Sequence, residues 1–382
     1  MTVTETGAAI VELAGEFARR EIAPRVAEYD RQEKIPRELL DQMAELGFFG
    51  GIIPVEWGGL GLDHRTFVAL VEEVSRVCQI MGTLVSMPSG LVGSGIARFG
   101  TDEQKERWLR PLAEGRIFGG SAVTEPQSGS DVAGMRTTYR KEGESYILNG
   151  TKAWISNLDI AEFFLSFATK DHSLKHAGIT AFLIPRETPG LELYPYRDKL
   201  GFRPICTGEV VFNELRLGPD ALLGEEGTGF DVAMTAVERG RLGVAARSVG
   251  LARACLDGAI SYAKERIAFG HPISEFQIVQ SKITDMEVGV HTARLLVNDA
   301  ADALERGERA RRLTSMAKMY ASDIAFRSAA DSMQIHGANG VSPEYTIGRL
   351  FRDAKVLQIV EGSNDLHRAL IGEMALGLRA DS

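Results

Sequence analysis

Apolar residues recur at helical spacing through roughly the first third of the chain. The recurring positions begin with Val11, Leu13, Phe17 and Ile22 and return at Leu39, Leu40, Met43 and Leu46. Positions three and four apart share one face of a helix, so a helical region is predicted from about residue 5 to 118. Thr101 followed by Gln104 matches a capping box and predicts a helix that begins after Thr101.

Between about residues 119 and 226 the pattern changes to short apolar runs separated by turn-forming residues. The clearest runs cover residues 146–148, 163–167, 179–184 and 209–212. Runs of this length and spacing are typical of β-strands, and Asn149-Gly150 is a strong turn dipeptide. This part of the chain is therefore predicted to form an antiparallel sandwich or barrel.

Long helical patterns return after about residue 227. Apolar positions three and four apart run through residues 229–267, 273–306 and 312–336. Three long helices and a shorter terminal one predict a helix bundle. Strands and helices do not alternate, which argues against a doubly wound nucleotide-binding fold. We therefore expect a helical N-terminal domain over residues 1–118, a β domain over 119–226 and a helical domain over 227–382.

The composition is that of a soluble globular protein with more than one domain. The chain has 382 residues, of which 44% are hydrophobic and 25% are charged, so two or three domains are expected. A net charge of −9 argues against a nucleic-acid partner, which would normally meet a basic face. No apolar run is judged long enough to cross a bilayer, and the first residues lack a signal-peptide pattern. We expect a cytoplasmic protein that does not associate with membranes.

Cysteine and histidine usage predicts neither a disulfide framework nor a metal site. Cys78, Cys206 and Cys255 are far apart and odd in number, which favours reduced, buried thiols. The seven histidines form no zinc-type pair, so no bound metal is expected. The sequence also lacks the Gly-x-Ser-x-Gly elbow of many hydrolases.

Glu361 is the first candidate for chemistry. It follows an apolar pair and precedes Gly362 and a polar turn. Apolar surroundings raise a carboxyl pKa and make the carboxylate a better base near neutral pH. A glycine beside it allows a tight turn or a close approach to a ligand. From these residues alone, a solvated surface carboxylate remains an equal alternative.

Two further segments have the composition of a ligand site. Residues 119–131 are rich in small and hydroxyl residues, whose N–H and O–H groups can bind a heteroaromatic edge or a pyrophosphate. Trp154, among small and polar residues, can pack flat against a planar cofactor. The alternatives are an ordinary turn for the first segment and a core tryptophan for the second.

Five motifs occur in the order found in one enzyme family. They are Val-Thr-Glu-Pro-x-Ser-Gly-Ser-Asp, Asn-Gly-x-Lys-x-Trp-Ile-Ser-Asn, Arg-x-x-Phe-Gly-x-Pro-Ile, Gln-Ile-His-Gly and Glu-Gly-Ser-Asn-Asp. Together with the helical, β, helical order, they make the whole chain resemble the acyl-CoA dehydrogenase family of flavoproteins. The resemblance implies a helical N-terminal domain, a middle β-barrel domain and a C-terminal four-helix bundle.

The resemblance also implies noncovalently bound FAD. The residues that match the family's cofactor positions are Val123, Thr124, Gly129, Ser130, Trp154, Ile155, Ser156, Arg266, Phe269, Gln277, Gln334, Gly337, Ser363 and Asp365. By this resemblance, Val123 and Thr124 contact the isoalloxazine ring. Arg266, Phe269 and Gln277 meet the FAD of a neighbouring subunit, which implies a homo-oligomer, usually a tetramer.

By the same resemblance, Glu361 is the general base. Abstraction of the weakly acidic α-proton of an acyl thioester needs a positioned base while the β-hydride passes to flavin N5. The Glu361 backbone N–H resembles a donor to the thioester carbonyl. Ser130, Glu238 and Arg241 match substrate-side positions, although Arg241 also fits a helix-surface ion pair. Some branched-chain members carry the base one residue before that arginine, where this chain has Gly240.

Two departures from the family pattern bear on the substrate. Glu373 stands where members that bind coenzyme A often have arginine, so the resemblance does not extend to that contact with the coenzyme A nucleotide. Gly82 stands where glutaryl-type members place an arginine for the distal carboxylate, which disfavours a dicarboxylic substrate. The segment 82–90 otherwise predicts an apolar, Met-containing pocket for a short, branched or cyclic acyl group.

The leading hypothesis is an acyl-CoA dehydrogenase that forms a trans-2-enoyl-CoA and passes electrons to an electron-transfer flavoprotein. A close alternative is a dehydrogenase or oxidase of an acyl group tethered to a carrier protein in a biosynthetic pathway. Glu361 argues against a flavin monooxygenase, which often lacks this glutamate, but not against an oxidase. A noncatalytic binding homologue is a further alternative, and the intact base and flavin motifs argue against it.

Overall fold

The computed structural model describes residues 5–380, so the predicted domain ends at residues 1–4 and 381–382 lie outside the described residues. The chain begins with a helical region, as the apolar spacing predicts. Its helices are α1 (Glu5–Phe17), α2 (Val26–Gln32), α3 (Arg37–Glu45), α4 (His64–Val77), α5 (Gln79–Met87), α6 (Gly93–Phe99), α7 (Asp102–Gln104) and α8 (Arg110–Ala113). The capping box is confirmed: the Gln104 amide donates to the Thr101 hydroxyl at 3.2 Å, and the Thr101 amide donates to the Gln104 side chain at 3.1 Å.

The expectation that no apolar run is long enough to cross a bilayer is wrong for one helical segment in this region. A π-helical turn at Pro88–Val92 joins α5 to α6, and the continuous helix Gln79–Phe99 is long and apolar enough to cross a membrane. Within the described residues, 89% of its most apolar stretch is buried inside the fold. The segment is therefore a core helix of the folded chain, covered by protein.

The middle region forms one eight-stranded sheet. Its strands are β1 (Phe118–Ala122), β2 (Thr138–Glu142), β3 (Ser145–Ser156), β4 (Ala161–Thr169), β5 (Ile179–Pro185), β6 (Leu191–Pro195), β7 (Thr207–Leu217) and β8 (Leu222–Leu223). The order is β6-β7-β3-β2-β4-β5-β8, with β1 also paired to β4. β1 and β2 run parallel to β4, so the sheet is mixed, whereas the sequence predicted an antiparallel one.

The turn predicted at Asn149-Gly150 is wrong. Both residues lie inside β3, where the register with β7 shifts between Leu148 and Gly150. A Cβ on Gly150 would lie 2.5 Å from the Thr137 Oγ1, so only glycine lets this strand come so close to Thr137. The β2–β3 turn instead contains Gly143, at φ +60°.

The C-terminal region is helical, with boundaries that differ from the prediction. Its elements are α9 (Gly229–Glu265), β9 (Ile267–Ala268), β10 (His271–Pro272), α10 (Gln277–Glu305), α11 (Arg311–His336), α12 (Ile347–Leu357) and α13 (Asn364–Ala375). A small hairpin therefore replaces the predicted ends of the first two long helices. Two short helices follow α11, where one was predicted.

Helix α9 lies at the centre of the fold and contacts α4, α5, α10 and α11. Small residues let α5 and the end of α4 come close to it. A Cβ on Gly250 would lie 2.4 Å from the Glu72 carbonyl oxygen, and one on Gly243 would lie 3.0 Å from the Ser86 Cβ. The helical N-terminal region, central sheet and helical C-terminal region agree with the predicted fold class.

Candidate active site

Glu361 lies in the short turn between α12 and α13. Its backbone is left-handed at φ +56°, and Gly362 follows at φ +97°. A non-glycine residue in this conformation persists only where its surroundings hold it there. The buried Lys318 donates to the Gly362 carbonyl at 2.7 Å and to the Asn364 Oδ1 at 2.9 Å, which fastens the turn to α11.

The charges of three buried cations act on the Glu361 carboxyl group. Burial raises the pKa of Glu361 above its ordinary value of 4.5, while the charges of Arg247, Arg241 and Lys318 act to lower it. Burial also lowers the pKa of Lys318 to about 7 and that of Arg241 to about 10. The carboxyl group therefore has the raised pKa that a general base near neutral pH requires.

Arg241 contacts the main chain of the base residue. It is 5% exposed, and its Nε donates to the Glu361 carbonyl at 3.3 Å while Nη1 donates to the Ser315 hydroxyl at 3.4 Å. The alternative of a helix-surface ion pair is therefore wrong. Arg241 holds the backbone turn of Glu361 and adds positive charge beside it.

Gly240 lies directly against the carboxylate. A Cβ built on Gly240 would be 2.9 Å from the Glu361 Oε2 and 3.0 Å from its Cδ. The lack of a side chain on this residue of α9 is therefore what leaves room for the Glu361 carboxyl group. No other residue type fits without moving the base.

We expect Gly240→Ala to displace the Glu361 carboxylate and to lower the rate of substrate-driven flavin reduction by as much as about 100-fold. The matched control is Gly258→Ala on the same helix, where a Cβ meets nothing within 4 Å. The control should keep full activity and a similar or slightly higher Tm, because alanine favours a helix over glycine. Anaerobic stopped-flow spectra of both variants measure the difference; equal rates would contradict this role for Gly240.

The segment after β1 is tied to β3 by a buried ion pair. Lys152 Nζ donates to the Glu125 Oε1 at 2.8 Å, and the two side chains are 0% and 1% exposed. Glu125 also accepts from the Arg136 and Thr137 amides, at 2.5 and 2.9 Å. Burial lowers the pKa of Lys152 to about 8; burial acts to raise the pKa of Glu125, but the Lys152 charge and these hydrogen bonds keep it below its ordinary value.

This arrangement fits a planar cofactor beside β3. The Ala153 amide donates to the Thr124 carbonyl at 2.8 Å, which places the segment Val123–Thr124 against the strand that carries Trp154. Trp154 is 64% exposed at φ +60°, so it is not a core residue. The Ser121 hydroxyl, two residues before Val123, is buried without a hydrogen-bond partner. An exposed indole and an unpartnered hydroxyl are what a bound heteroaromatic group would satisfy.

The other predicted cofactor residues fall into two groups. Gly129 and Ser130 are exposed in the segment after β1, whereas Ile155 is buried in the sheet core and paired with Gly208 of β7. Ser363 is the N-cap of α13, two residues after Glu361, and Asp365 is exposed in its first turn. Both residues therefore lie within four positions of the base in the chain.

The positions assigned to a neighbouring subunit lie on the surface of this chain. Arg266 follows α9, Phe269 is 94% exposed at the β9–β10 turn, and Gln277 begins α10. Gln334 and Gly337, which match a further contact on the adenosine side of the cofactor, are exposed at the end of α11. These five residues have no role around Glu361 of the same chain.

Glu238 lies on α9, two residues before Gly240. Its side chain is half-buried, and its Oε1 is buried without a hydrogen-bond partner. A buried carboxylate oxygen without a donor is costly unless a ligand supplies one. The predicted substrate contact at Glu238 fits this environment.

Four residues near the base were missed by the sequence reasoning. Lys318 and Asn364 fasten the turn, Arg247 faces the Glu361 charge, and His367 is fully buried with both ring nitrogens unpartnered. Burial lowers the pKa of His367 to about 3, so it is neutral. A charged residue on the apolar face of a long helix was the available signal for Lys318 and Arg247.

Within residues 5–380 the structure has no group of three or more histidine, cysteine or acidic residues that would hold a metal ion. The three cysteines are free; Cys78 and Cys255 are buried, and Cys206 is half-buried.

Family models match almost the whole chain. The N-terminal domain of acyl-CoA dehydrogenase matches residues 4–116, the middle domain matches 120–215 and the C-terminal domain matches 227–376.

Individual relatives match over their full length. The Caffeyl-CoA reductase-Etf complex subunit CarC of Acetobacterium woodii is 37% identical over 98% of this chain and 100% of its own. Butyryl-CoA dehydrogenase from Megasphaera elsdenii is 36% identical, with a TM-score of 0.95 over 98% of this chain and 99% of its own. The prolyl acyl carrier protein oxidase AnaB is 30% identical, with a TM-score of 0.94 over 98% and 100%.

Proposed function

The chain belongs to the acyl-CoA dehydrogenase family, and from that premise we propose that it converts a short acyl-CoA thioester to the trans-2-enoyl-CoA with Glu361 as the base. It is an FAD-dependent oxidoreductase that acts on CH–CH bonds. The observation that carries the proposal is the buried Glu361 carboxyl group, held in a left-handed turn and acted on by the charges of three buried cations.

Each residue of the site has a part in this reaction. The Glu361 carboxylate takes the α-proton, and the nearby positive charges limit how far burial raises its pKa. Arg241 and Lys318 keep the turn in place through the Glu361 and Gly362 carbonyl groups. Bound FAD supplies the acceptor for the β-hydride, so a C=C bond forms as the substrate loses two hydrogens.

Residues on both sides of the base support a thioester site. The unpartnered Oε1 of Glu238 and the exposed Ser130 are available to the ligand. The segment 82–90 is buried against α9, and its Ser86 and Thr83 hydroxyls donate to main-chain carbonyls of α5. With these hydroxyls satisfied and Met87 beside them, the lining favours a short, branched or cyclic acyl group over a long one.

The pH dependence tests the charges around the base. We expect kcat/KM to rise with pH and then level off, because only the ionised form of Glu361 accepts a proton, and the midpoint should lie above 4.5. Lys318→Gln removes a charge that lowers the Glu361 pKa, so the acid limb should move to higher pH. Lys355→Gln, an exposed lysine bonded to Gln358, is the control and should leave the limb in place. An unmoved limb in Lys318→Gln would contradict this account.

The proposed function is tested by anaerobic titration of the yellow holoenzyme with straight, branched, cyclic and dicarboxylic acyl-CoAs. We expect at least one short acyl-CoA to bleach the flavin rapidly and to give the trans-2-enoyl-CoA by mass spectrometry. A protein that binds FAD but is bleached by no acyl-CoA would overturn the proposal.

A carrier-tethered substrate is the second candidate, because the similar AnaB structure is described as a prolyl acyl carrier protein oxidase. Glu373 supports it: the carboxylate pairs with Arg379 at 2.8 Å, at a position where coenzyme A binders often have arginine. The two candidates are separated by comparing the rate of flavin reduction with the same acyl group on coenzyme A and on a phosphopantetheinyl carrier protein. Fast reoxidation of the reduced flavin by air would indicate an oxidase, and slow reoxidation would indicate a dehydrogenase.

We further propose an electron-transfer flavoprotein as acceptor, a cytoplasmic location and a homotetramer. The acceptor is supported by the relative from the caffeyl-CoA reductase-Etf complex. The oligomer is supported by large apolar residues exposed on the C-terminal region, namely Ile267, Phe269, Ile278, Val288 and Leu295. Light scattering of the purified protein measures the subunit number.

A further inference from the structure

Arg247 is a buried cation whose part in the proposed reaction, as described so far, is its charge alone. It lies on α9, is 5% exposed, and has a buried Nε without a hydrogen-bond partner. Its Nη1 donates to the Thr83 hydroxyl, and its guanidinium carbon lies 5.8 Å from the centre of the Phe202 ring. Among residues 5–380 no carboxylate forms a salt bridge with it.

The carboxylate whose charge acts on Arg247 is that of the base. Burial lowers the pKa of Arg247 to about 10, and the Glu361 charge opposes this. When Glu361 takes a proton from the substrate, that negative charge is lost. A buried guanidinium without a counter-ion is strongly unfavourable, so the site then needs another anion.

Arg247 lies about two helical turns after Gly240 on α9. It follows Gly240, which underlies the carboxylate, by seven residues, so both lie on the same face of α9, about 10 Å apart along its axis. Helical side chains lean towards the N-terminus, so the guanidinium reaches back towards Glu361. A separation of about 10 Å along the helix axis is on the scale of a short acyl chain, not a long one.

We propose that Arg247 binds a carboxylate at the distal end of the acyl group, so that the substrate is a short dicarboxylic acyl thioester. This inference rests on the proposed function and specifies its substrate. Thr83, which accepts from the guanidinium, fixes the arginine from the opposite helix. The free Nε–H is the donor available to the ligand.

The absence of arginine at Gly82 was taken to disfavour a dicarboxylic substrate, but that expectation considered α5 alone. The structure shows why position 82 cannot carry a large side chain. A Cβ on Gly82 would lie 1.8 Å from the Ser75 Oγ, so it faces α4 and has no room for an arginine. The neighbouring Thr83 instead meets an arginine supplied by α9. A cation therefore lies beside this segment, and it is Arg247 of α9, not a residue of α5.

The test compares acyl-CoAs of equal carbon number on the FAD-loaded enzyme. We expect kcat/KM for succinyl-CoA over butyryl-CoA, or for glutaryl-CoA over valeryl-CoA, to exceed 10. Arg247→Gln should lower that ratio at least 100-fold, whereas Arg247→Lys should retain part of it. Lys264→Gln, an exposed charge near the end of the same helix, should leave the ratio unchanged.

A readout without turnover separates this inference from the proposed function. Calorimetric titration of FAD-loaded Glu361→Gln should show succinyl- or glutaryl-CoA binding at least tenfold more tightly than its uncharged partner, and adding Arg247→Gln should abolish the difference. Equal or reversed preference, or a ratio that Arg247→Gln does not change, would overturn the role of Arg247. Bleaching by butyryl-CoA with no preference for dicarboxylic thioesters would overturn this inference alone. Bleaching by no acyl-CoA would overturn the proposed function as well.

Discussion

Glu361→Gln is expected to abolish substrate-driven flavin reduction, with a loss of roughly 100- to 10,000-fold, while FAD remains bound. Glutamine has nearly the same shape, so the turn held by Arg241 and Lys318 should persist. Its amide cannot accept the α-proton, so the substrate should bind without reacting. Anaerobic stopped-flow absorbance gives the rate, and the flavin-to-protein absorbance ratio gives FAD content.

The control for this variant is Glu373→Gln. Glu373 lies on α13, twelve residues after the base, and its side chain is 42% exposed in a pair with Arg379. Its loss should leave the rate of flavin reduction by a saturating substrate unchanged. Near-normal reduction in Glu361→Gln would show that another residue removes the proton.

Lys152→Met is expected to have the largest effect on stability, a loss of about 3–5 kcal/mol in the free energy of unfolding. The change leaves the fully buried Glu125 without its cation, and that carboxylate also holds the Arg136 and Thr137 amides. The segment Val123–Thr124 should then detach from β3, so FAD should be lost first. Tm and flavin release on heating measure both effects.

The double variant Glu125→Gln/Lys152→Met should recover part of the lost stability, because no uncompensated charge remains buried. The matched control is Lys141→Met, which breaks the exposed pair with Glu226 at 3.0 Å and should leave Tm nearly unchanged. If Lys152→Met lowers Tm no more than Lys141→Met, the buried pair does not hold this region.

The fold was largely predictable from the sequence, because its helical and strand patterns are local. The capping box at Thr101 and the strands at 146–148, 163–167, 179–184 and 209–212 follow from residue spacing alone. The turn predicted at Asn149-Gly150 is wrong because Gly150 lies inside a strand, where it lets the backbone come close to Thr137. That contact is distant in sequence and cannot be read from the dipeptide. The membrane-length helix was overlooked because its Gly, Ser and Pro residues interrupt the apolar run.

The site was predictable only in part, because burial and charge depend on tertiary contacts. Glu361 follows from its motif, but its left-handed backbone and the surrounding cations do not. Lys318 and Arg247 come from two different helices, and no sequence spacing relates them to the base. The close approach of position 240 to the Glu361 carboxylate likewise arises only once α9 lies under the turn.

The buried helix Gln79–Phe99 has a consequence for synthesis on the ribosome. Much of its apolar surface is covered by α9, which is not complete until Glu265 has been made. At 5–20 residues per second, this leaves a membrane-like segment uncovered for roughly 10–30 s. During that interval the nascent chain presents the kind of surface that chaperones and insertion machinery recognise. We therefore expect folding of this chain in the cell to depend on what shields residues 79–99 before α9 emerges from the ribosome.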